Sequence, residues 1–271
     1  MILVSFQITS NYNSTVGDSL ALSDRQHQIL NWVQQEDTLL VEDMVAKFGV
    51  SSQTIRKDIN QLAERHLVRR THGGIAPVSS IENLPFDHRQ FLNGDAKAAI
   101  AARVARDIPD GASVFLGVGT TVEYVAKALL DHKELQIFTN NLTVAKIFSV
   151  TSTSRVRVTA GKLRPRHHDL VGEDTLASLR QYYFDYGVLG CGGMDETQGL
   201  LDFDPEEAAV SRVIVEQSRH SLLVADQHKW GRKAMARVHP FRKIDCLYSD
   251  YLSDQQSRLL ASQGVQFQLC Q

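Results

Sequence analysis

The stretch that decides the fold is VEDMVAKFGVSSQTIRKDINQLAERHLVRRTHGGIA, residues 41–76. Val41, Met44, Val45 and Phe48 recur at helical spacing, and Gly49 stops that short helix. Ser51 or Ser52 then offers a cap to a further helix, whose apolar residues Ile55, Ile59 and Leu62 fall at i, i+4 and i+7. That stripe faces inward and leaves Gln53, Thr54, Arg56, Lys57 and Asn60 outside it. LVRRTHGG (67–74) sets an apolar pair and two arginines before a Gly-Gly turn, the pattern of a β-hairpin. Upstream, Ile29, Leu30 and Val33 mark an additional helix with Ser23 as its candidate cap. Three helices and a hairpin make a winged helix-turn-helix, expected over residues 23–78.

Charge supports that reading only when it is counted locally. The 271-residue chain holds 29 Lys+Arg against 31 Asp+Glu, a net of −2, which on its face argues against a nucleic-acid partner. Residues 21–50 carry two basic groups (Arg25, Lys47) and five acidic ones, a net of −3. Residues 51–76 carry five basic groups (Arg56, Lys57, Arg65, Arg69, Arg70) and two acidic ones, a net of +3. Phosphate contacts supply most DNA affinity, so a local basic face outweighs the whole-chain sum. The N-terminal part of such a recognition helix enters the major groove. The expected DNA-binding residues are Ser52, Gln53, Thr54, Arg56 and Lys57 on the helix, with Arg69, Arg70 and His72 on the wing. Arg56 suits a guanine edge or a phosphate, and Lys57 a phosphate.

Outside that segment the composition is ordinary, with 43% hydrophobic and 22% charged residues. It excludes collagen-like, disordered and disulfide-stapled classes. Three unpaired-looking cysteines (Cys191, Cys246, Cys270) suit a reducing cytoplasm, and no apolar run reaches the roughly 20 residues of a membrane span. The first residues lack a basic n-region, so no signal peptide is expected. Residues 1–22 read as a flexible tail and 79–95, with Pro85 and little periodicity, as a linker.

From 96 to 271 the texture changes, and 13 of the 17 glycines lie beyond residue 90. Strands are expected at 113–117, 135–140, 155–161, 186–191, 221–226, 245–250 and 265–270. Helical patterns alternate with them at 97–107, 121–131, 142–149, 173–181, 205–218 and 254–262. That alternation predicts a mostly parallel sheet covered on both faces, so the fold class is α/β. Loops after successive strands carry small polar residues: LGVGTT (116–121), FTNN (138–141), AGK (160–162) and LGCGG (189–193). Ligands of open α/β sheets bind at the carboxyl ends of the strands, where these loops fall. The expected effector-binding residues are Gly119, Thr120, Thr121, Asn140, Asn141, Gly161, Lys162, Gly192 and Lys229. Any one loop is an ordinary turn; four together suit a shared anion site.

The joint N-terminal pattern, with TIRKD (Thr54–Asp58) and RRTHGG, resembles the signature of the DeoR family of bacterial transcriptional repressors. IPDGASVFLGVGTT, IFTNNLTVA, GKLRPR, LVGEDT, DPEEAAVSR and LLVADQHKWGR resemble that family's sensor domain. The resemblance implies a fold related to ribose-5-phosphate isomerase and the CoA-transferase-like group. It also implies a phosphorylated polyol or sugar as effector, operator DNA as partner, and a homodimer or homotetramer. GTTVEYVAKALLDHKELQIFTNNLTVAKIF, FDYGVLG, LLDFD and VQFQLCQ resemble the members that sense glycerol-3-phosphate. Gly117 and the general form DPEEAAVSR depart from that subgroup.

An enzyme is the rival reading, with Asp202, Asp204, Glu206, Glu207 or Asp226 as acid/base and Lys229 as electrostatic partner. Glu206 and Glu207 follow Pro205, where acids favour a helix start, and nothing in the sequence aims a base at a substrate carbon. His167, His168 and Asp169 lack zinc-site spacing. No catalytic residue, metal or cofactor is therefore expected.

Overall fold

Ser23 and Gln26 begin the first helix by a reciprocal cap. The Gln26 amide donates to Ser23 Oγ (3.3 Å), and the Ser23 amide donates to Gln26 Oε1 (3.0 Å). The computed structural model describes residues 22–33, 36, 38–65, 67–78, 89, 92–151 and 154–271. Residues 1–21 and most of 79–91 lie outside these, so the tail and much of the linker expected there are not part of the description. The chain divides into two compact units between Pro77 and Val78.

In the first unit, α1 (Asp24–Val33), α2 (Val41–Phe48) and α3 (Ser52–Glu64) bury Ile29, Leu30, Val33, Met44, Ile55, Ile59 and Leu62. Gly49, at φ 62°, ends α2 by donating its amide to the Val45 carbonyl, and Ser51 caps α3 by accepting from the Thr54 amide at 3.2 Å. The hairpin is β2 (Val68–Thr71) against β3 (Gly74–Pro77). A third strand, β1 (Leu39–Leu40), pairs with β3 and is too short to announce itself in sequence. It explains the second glycine of the Gly-Gly pair. Gly73 takes the turn at φ 87°, whereas a Cβ on Gly74 would sit 1.9 Å from the Leu39 carbonyl oxygen.

The second unit is built on seven parallel strands: β4 (Ser113–Leu116), β5 (Gln136–Thr139), β6 (Arg155–Val158), β9 (Phe184–Leu189), β12 (Ser218–Val224), β14 (Cys246–Ser249) and β15 (Gln266–Leu269). Their order is β15-β14-β12-β9-β4-β5-β6, so each expected strand takes its place in one sheet. On one face α4 (Gly94–Asp107), α5 (Thr120–Ala128) and α6 (Leu142–Thr151) pack Ile100, Val104, Val122, Val125 and Phe148 against Val114, Leu116, Ile137 and Val188. On the other, α7 (Glu173–Leu179) and α8 (Pro205–Glu216) pack Leu179, Val210 and Ile214 against Phe115 and Phe184. Alternate residues of β4 thus serve opposite cores, which is why its sequence reads as an unbroken apolar run. Beyond β12, α9 (Asp254–Ser262) closes a further core with Leu223 and Leu247.

Two small sheets were not expected. One is the hairpin β7 (Lys162–Arg164) with β8 (Asp169–Val171); the other joins β10 (Gly193–Asp195), β11 (Gly199–Asp202) and β13 (Ala236–Arg237). The expected strand at 155–161 is shorter in the structure, with β6 ending at Val158, and that at 186–191 is shifted two residues towards the N-terminus, with β9 running from Phe184 to Leu189. Beyond these ends the chain leaves the sheet to form the additions.

Candidate functional site

All eight residues expected to meet DNA lie on the surface of the first unit. Ser52, Gln53, Arg56, Lys57, Arg69, Arg70 and His72 are exposed, and Thr54 is half-buried, its hydroxyl 2.9 Å from Ser51 Oγ. Asp58 behaves differently from its neighbours. It turns inward, 5% exposed, and accepts from Arg25 Nε at 2.6 Å and Gln26 Nε2 at 3.2 Å. Gln26 also donates to Gln61 Oε1 at 2.6 Å, so a polar clasp joins α1 to α3. An open groove of about 920 Å³ runs between them, lined by residues that include Arg25, Gln53, Arg56, Lys57 and Asn60. Arg56→Ala should leave the fold intact, because the side chain is exposed, and weaken operator binding by about 1–3 kcal/mol. A gel-shift titration reads it, and an unchanged Kd would remove Arg56 from the reading face.

In the second unit the strand order reverses between β4 and β9, the place where doubly wound sheets take ligands. The loops leaving those two strands touch: a Cβ on Gly190 would lie 3.3 Å from the Val118 carbonyl oxygen. Gly119, at φ 136°, precedes α5 and supplies no side-chain cap, so amides of the first turn of α5 are not taken up by a cap. Thr120 and Thr121 sit in that turn, both buried. Gly192 is required by close packing, since a Cβ there would meet Asp202 Cα at 3.0 Å.

The other expected effector residues separate into two groups. Asn141 caps α6, its Oδ1 accepting from the Thr143 and Val144 amides at 2.8 and 3.3 Å. Asn140 donates to the Leu170 carbonyl at 2.9 Å, while its buried Oδ1 has no hydrogen-bond partner among the described residues. Gly161 answers a structural need, because a Cβ would fall 2.0 Å from Thr175 Oγ1. Lys162 points to water, 63% exposed, with its ammonium 2.8 Å from Glu206. Its charge is already matched by a direct ion pair.

Lys229 is half-buried and makes no side-chain hydrogen bond or ion pair among the described residues; nor does half-buried Arg232, whose guanidinium lies 5.0 Å over the Phe203 ring. Desolvation lowers the pKa of each, and each feels the charge of Arg89. Lys97 belongs to the same field. It is 3% exposed, donates to the Arg89 and Leu92 carbonyls at 2.5 and 2.6 Å, and is pulled down to about 7 by burial. Asp226 is the counter-charge. Burial works against its carboxylate, but the His228 bond (3.1 Å) and the Lys229 and Lys97 cations outweigh that and hold it well below its usual range. Asn93 ties this loop to the start of α4, donating to Asp226 Oδ1 at 3.3 Å. Sequence reasoning named Lys229 and missed Arg89, Lys97 and Arg232; the only signal was that Lys97 sits among alanines on an otherwise apolar helix face.

A second buried network lies at the start of α8. Arg164 grips Asp169 through two bonds of 2.9 and 2.5 Å, and reaches Glu207 at 2.9 Å and Asp204 at 2.7 Å. Asp204 caps α8. Glu206 and Glu207, expected merely to favour a helix start, are therefore also ion-pair partners of Lys162 and Arg164.

A helix-turn-helix with an exposed basic helix and a hairpin wing, in one chain with a doubly wound α/β unit, is the architecture of a winged-helix transcriptional regulator. The chain belongs to the DeoR family: residues 25–80 match the DeoR-like helix-turn-helix domain and residues 92–251 the DeoR C terminal sensor domain. It is 40% identical over 249 residues to the glycerol-3-phosphate regulon repressor of Escherichia coli, covering 92% of this chain and 99% of that one. It is likewise 40% identical to the Haemophilus influenzae protein of the same name (89% and 97% covered), and 35% identical to the E. coli repressor CsqR (84% and 87% covered). It is a DNA-binding transcriptional repressor of that family. Among solved structures, ribose 5-phosphate isomerase A from Methanocaldococcus jannaschii aligns at 14% identity and a TM-score of 0.39, over 52% of this chain and 56% of that one. Translation factor eIF2B delta from Chaetomium thermophilum aligns at 12% and 0.43, over 73% and 63%. No helix among the described residues is long and apolar enough to cross a membrane.

Proposed function

We propose that this repressor is released from its operator by a phosphorylated polyol or sugar, with glycerol-3-phosphate as the effector. The observation that carries the reading is the pair Lys229 and Arg232, half-buried cations without an ion-pair partner among the described residues, each within the electrostatic reach of Cys191 in the loop after β9. The uncapped start of α5 follows β4, the strand next to β9. Such an arrangement suits a dianionic phosphate better than an apolar or cationic ligand. Gly119, Thr120 and Thr121 would cradle it, Asn140 would offer its Oδ1 to a hydroxyl, and Gly192 would let the loop after β9 pack on Asp202 and Phe203. Asn141, Gly161 and Lys162 act through the frame that holds these loops, by capping α6, packing on Thr175 and pairing with Glu206. The names of the 40%-identical relatives favour glycerol-3-phosphate over other phosphosugars.

On DNA, Ser52, Gln53, Thr54, Arg56 and Lys57 would enter the major groove while Arg69, Arg70 and His72 hold the backbone. A homodimer or homotetramer would present paired winged helices to a two-fold operator in the cytoplasm. We read the chain as a regulator rather than an enzyme. Of the five acid/base candidates, Asp204, Glu206, Glu207 and Asp226 are engaged by helix amides, Lys162, Arg164 and His228 respectively. The fifth, Asp202, is buried, its pKa raised by desolvation, and accepts from the Phe203 amide at 2.8 Å. A thermal-shift series with glycerol-3-phosphate and other phosphosugars tests the effector. Glycerol-3-phosphate is expected to raise the sensor's Tm by several degrees at about 100 times Kd, where linkage supplies about 2.7 kcal/mol. A shift by another phosphosugar alone would replace the effector and keep the sensor; no shift by any would remove the sensor reading.

A further inference from the structure

The groove between α1 and α3 holds a cation that sequence reasoning counted on the acidic side of the small domain. Arg25 stands in the first turn of α1, and its Nε is fixed on Asp58 Oδ2 at 2.6 Å. Asp58 is itself held in place: it lies on the buried side of α3, and its other oxygen accepts from Gln26, which also holds Gln61. Arg25 remains about one-third exposed (32% of its side chain) and makes no other hydrogen bond or ion pair among the described residues. It lines the same groove as Gln53, Arg56, Lys57 and Asn60. One donor of the guanidinium therefore anchors the side chain, and its terminal nitrogens stay available on the basic face. An arginine held this way loses less freedom on meeting a phosphate than an unrestrained one.

We infer that Arg25 is a DNA phosphate contact delivered from α1, and that Asp58 is the positioning residue that aims it. This rests on the DNA-reading face proposed above and adds to it a residue of α1, outside the recognition helix and the wing. The rival account is that Arg25 only neutralises the buried Asp58 carboxylate.

Salt dependence of operator binding separates the two, since each phosphate contact contributes about 0.9 to the slope of log K against log salt. Arg25→Gln/Asp58→Asn removes both charges and keeps a hydrogen-bonding pair. If Arg25 meets a phosphate, the full-length double variant loses roughly one unit of slope, and its Kd at moderate salt rises about tenfold, the effect of one lost charge-assisted bond. If Arg25 serves only to neutralise Asp58, the double variant recovers the wild-type slope, and the inference is overturned. Should the double variant melt early, Arg25→Lys takes its place: the slope is then expected to stay and the Kd to rise several-fold, because Lys lacks the anchored fork. An unchanged Kd for Arg25→Lys counts against the inference. Arg56→Ala runs alongside. If it weakens binding while the Arg25 variants do not, only this contact falls; if neither weakens binding, the reading face itself is misplaced.

Discussion

Lys229→Met is expected to leave operator affinity within about twofold of wild type and to raise the glycerol-3-phosphate needed for release by 30-fold or more. The asymmetry follows from where the charge sits. Lys229 lies in the second unit and has no ion-pair partner among the described residues to strand when it is removed, while Asp226 keeps its bonds from His228 and Asn93 and the field of Lys97. A half-buried charge-assisted contact to phosphate is worth about 2–5 kcal/mol when one partner is truncated. Methionine preserves the length and volume of the stem, so the loop after β12 keeps its packing. The measurement is operator release followed as effector is titrated. A release midpoint within threefold of wild type would take the phosphate away from Lys229.

Arg164→Ala should lower the Tm of the sensor by roughly 10 °C. The guanidinium satisfies Asp169, which is fully buried, and also Glu207 and Asp204; its loss leaves three carboxylates facing one another. Removing one partner of a buried ion pair costs about 3–5 kcal/mol, and each kcal/mol shifts a domain of this size by about 2–4 °C. The deficit depends on pH with a definite sign. Burial already raises the Asp169 carboxyl, and Arg164 opposes that rise. Without Arg164 the folded-state pKa climbs further above the unfolded value, so the variant loses stability as pH rises and regains it as pH falls. Melting curves at pH 8 and pH 5 should therefore show a smaller gap from wild type at pH 5. A fall of under 2 °C at pH 8 would mean that solvent screens the network.

The architecture was legible because the signals that specify it are local. Three amphipathic helices, a Gly-Gly hairpin and seven apolar runs each read from fewer than 15 residues, and all appear. What stayed hidden depends on distant partners. β7–β8 and β10–β11–β13 are built from strands of two to four residues, too short for periodicity, and exist because the chain pairs after leaving the main sheet. Arg164 stood in the GKLRPR motif without a role, since Glu207 lies 43 residues away. Asp58 read as one acid in a basic helix; only folding shows that it is turned inward onto Arg25. The glycine loops at the strand ends were legible because each follows an apolar run directly in sequence. Lys162 and Lys229 looked alike in sequence, each a lysine after a strand, and only the presence of Glu206 beside one, with no such partner described beside the other, tells them apart.

The central claim is that one chain couples a phosphate-filled crevice to release of DNA. Fluorescence anisotropy of a labelled operator, titrated with the full-length protein with and without saturating glycerol-3-phosphate at fixed salt, tests it most directly. Coupling of about 1–3 kcal/mol predicts that effector weakens operator binding 5- to 150-fold, with Lys229→Met needing about 30-fold more effector for the same weakening. An operator Kd unmoved by glycerol-3-phosphate and by every other phosphosugar tried, in a protein that binds the operator normally, would contradict it.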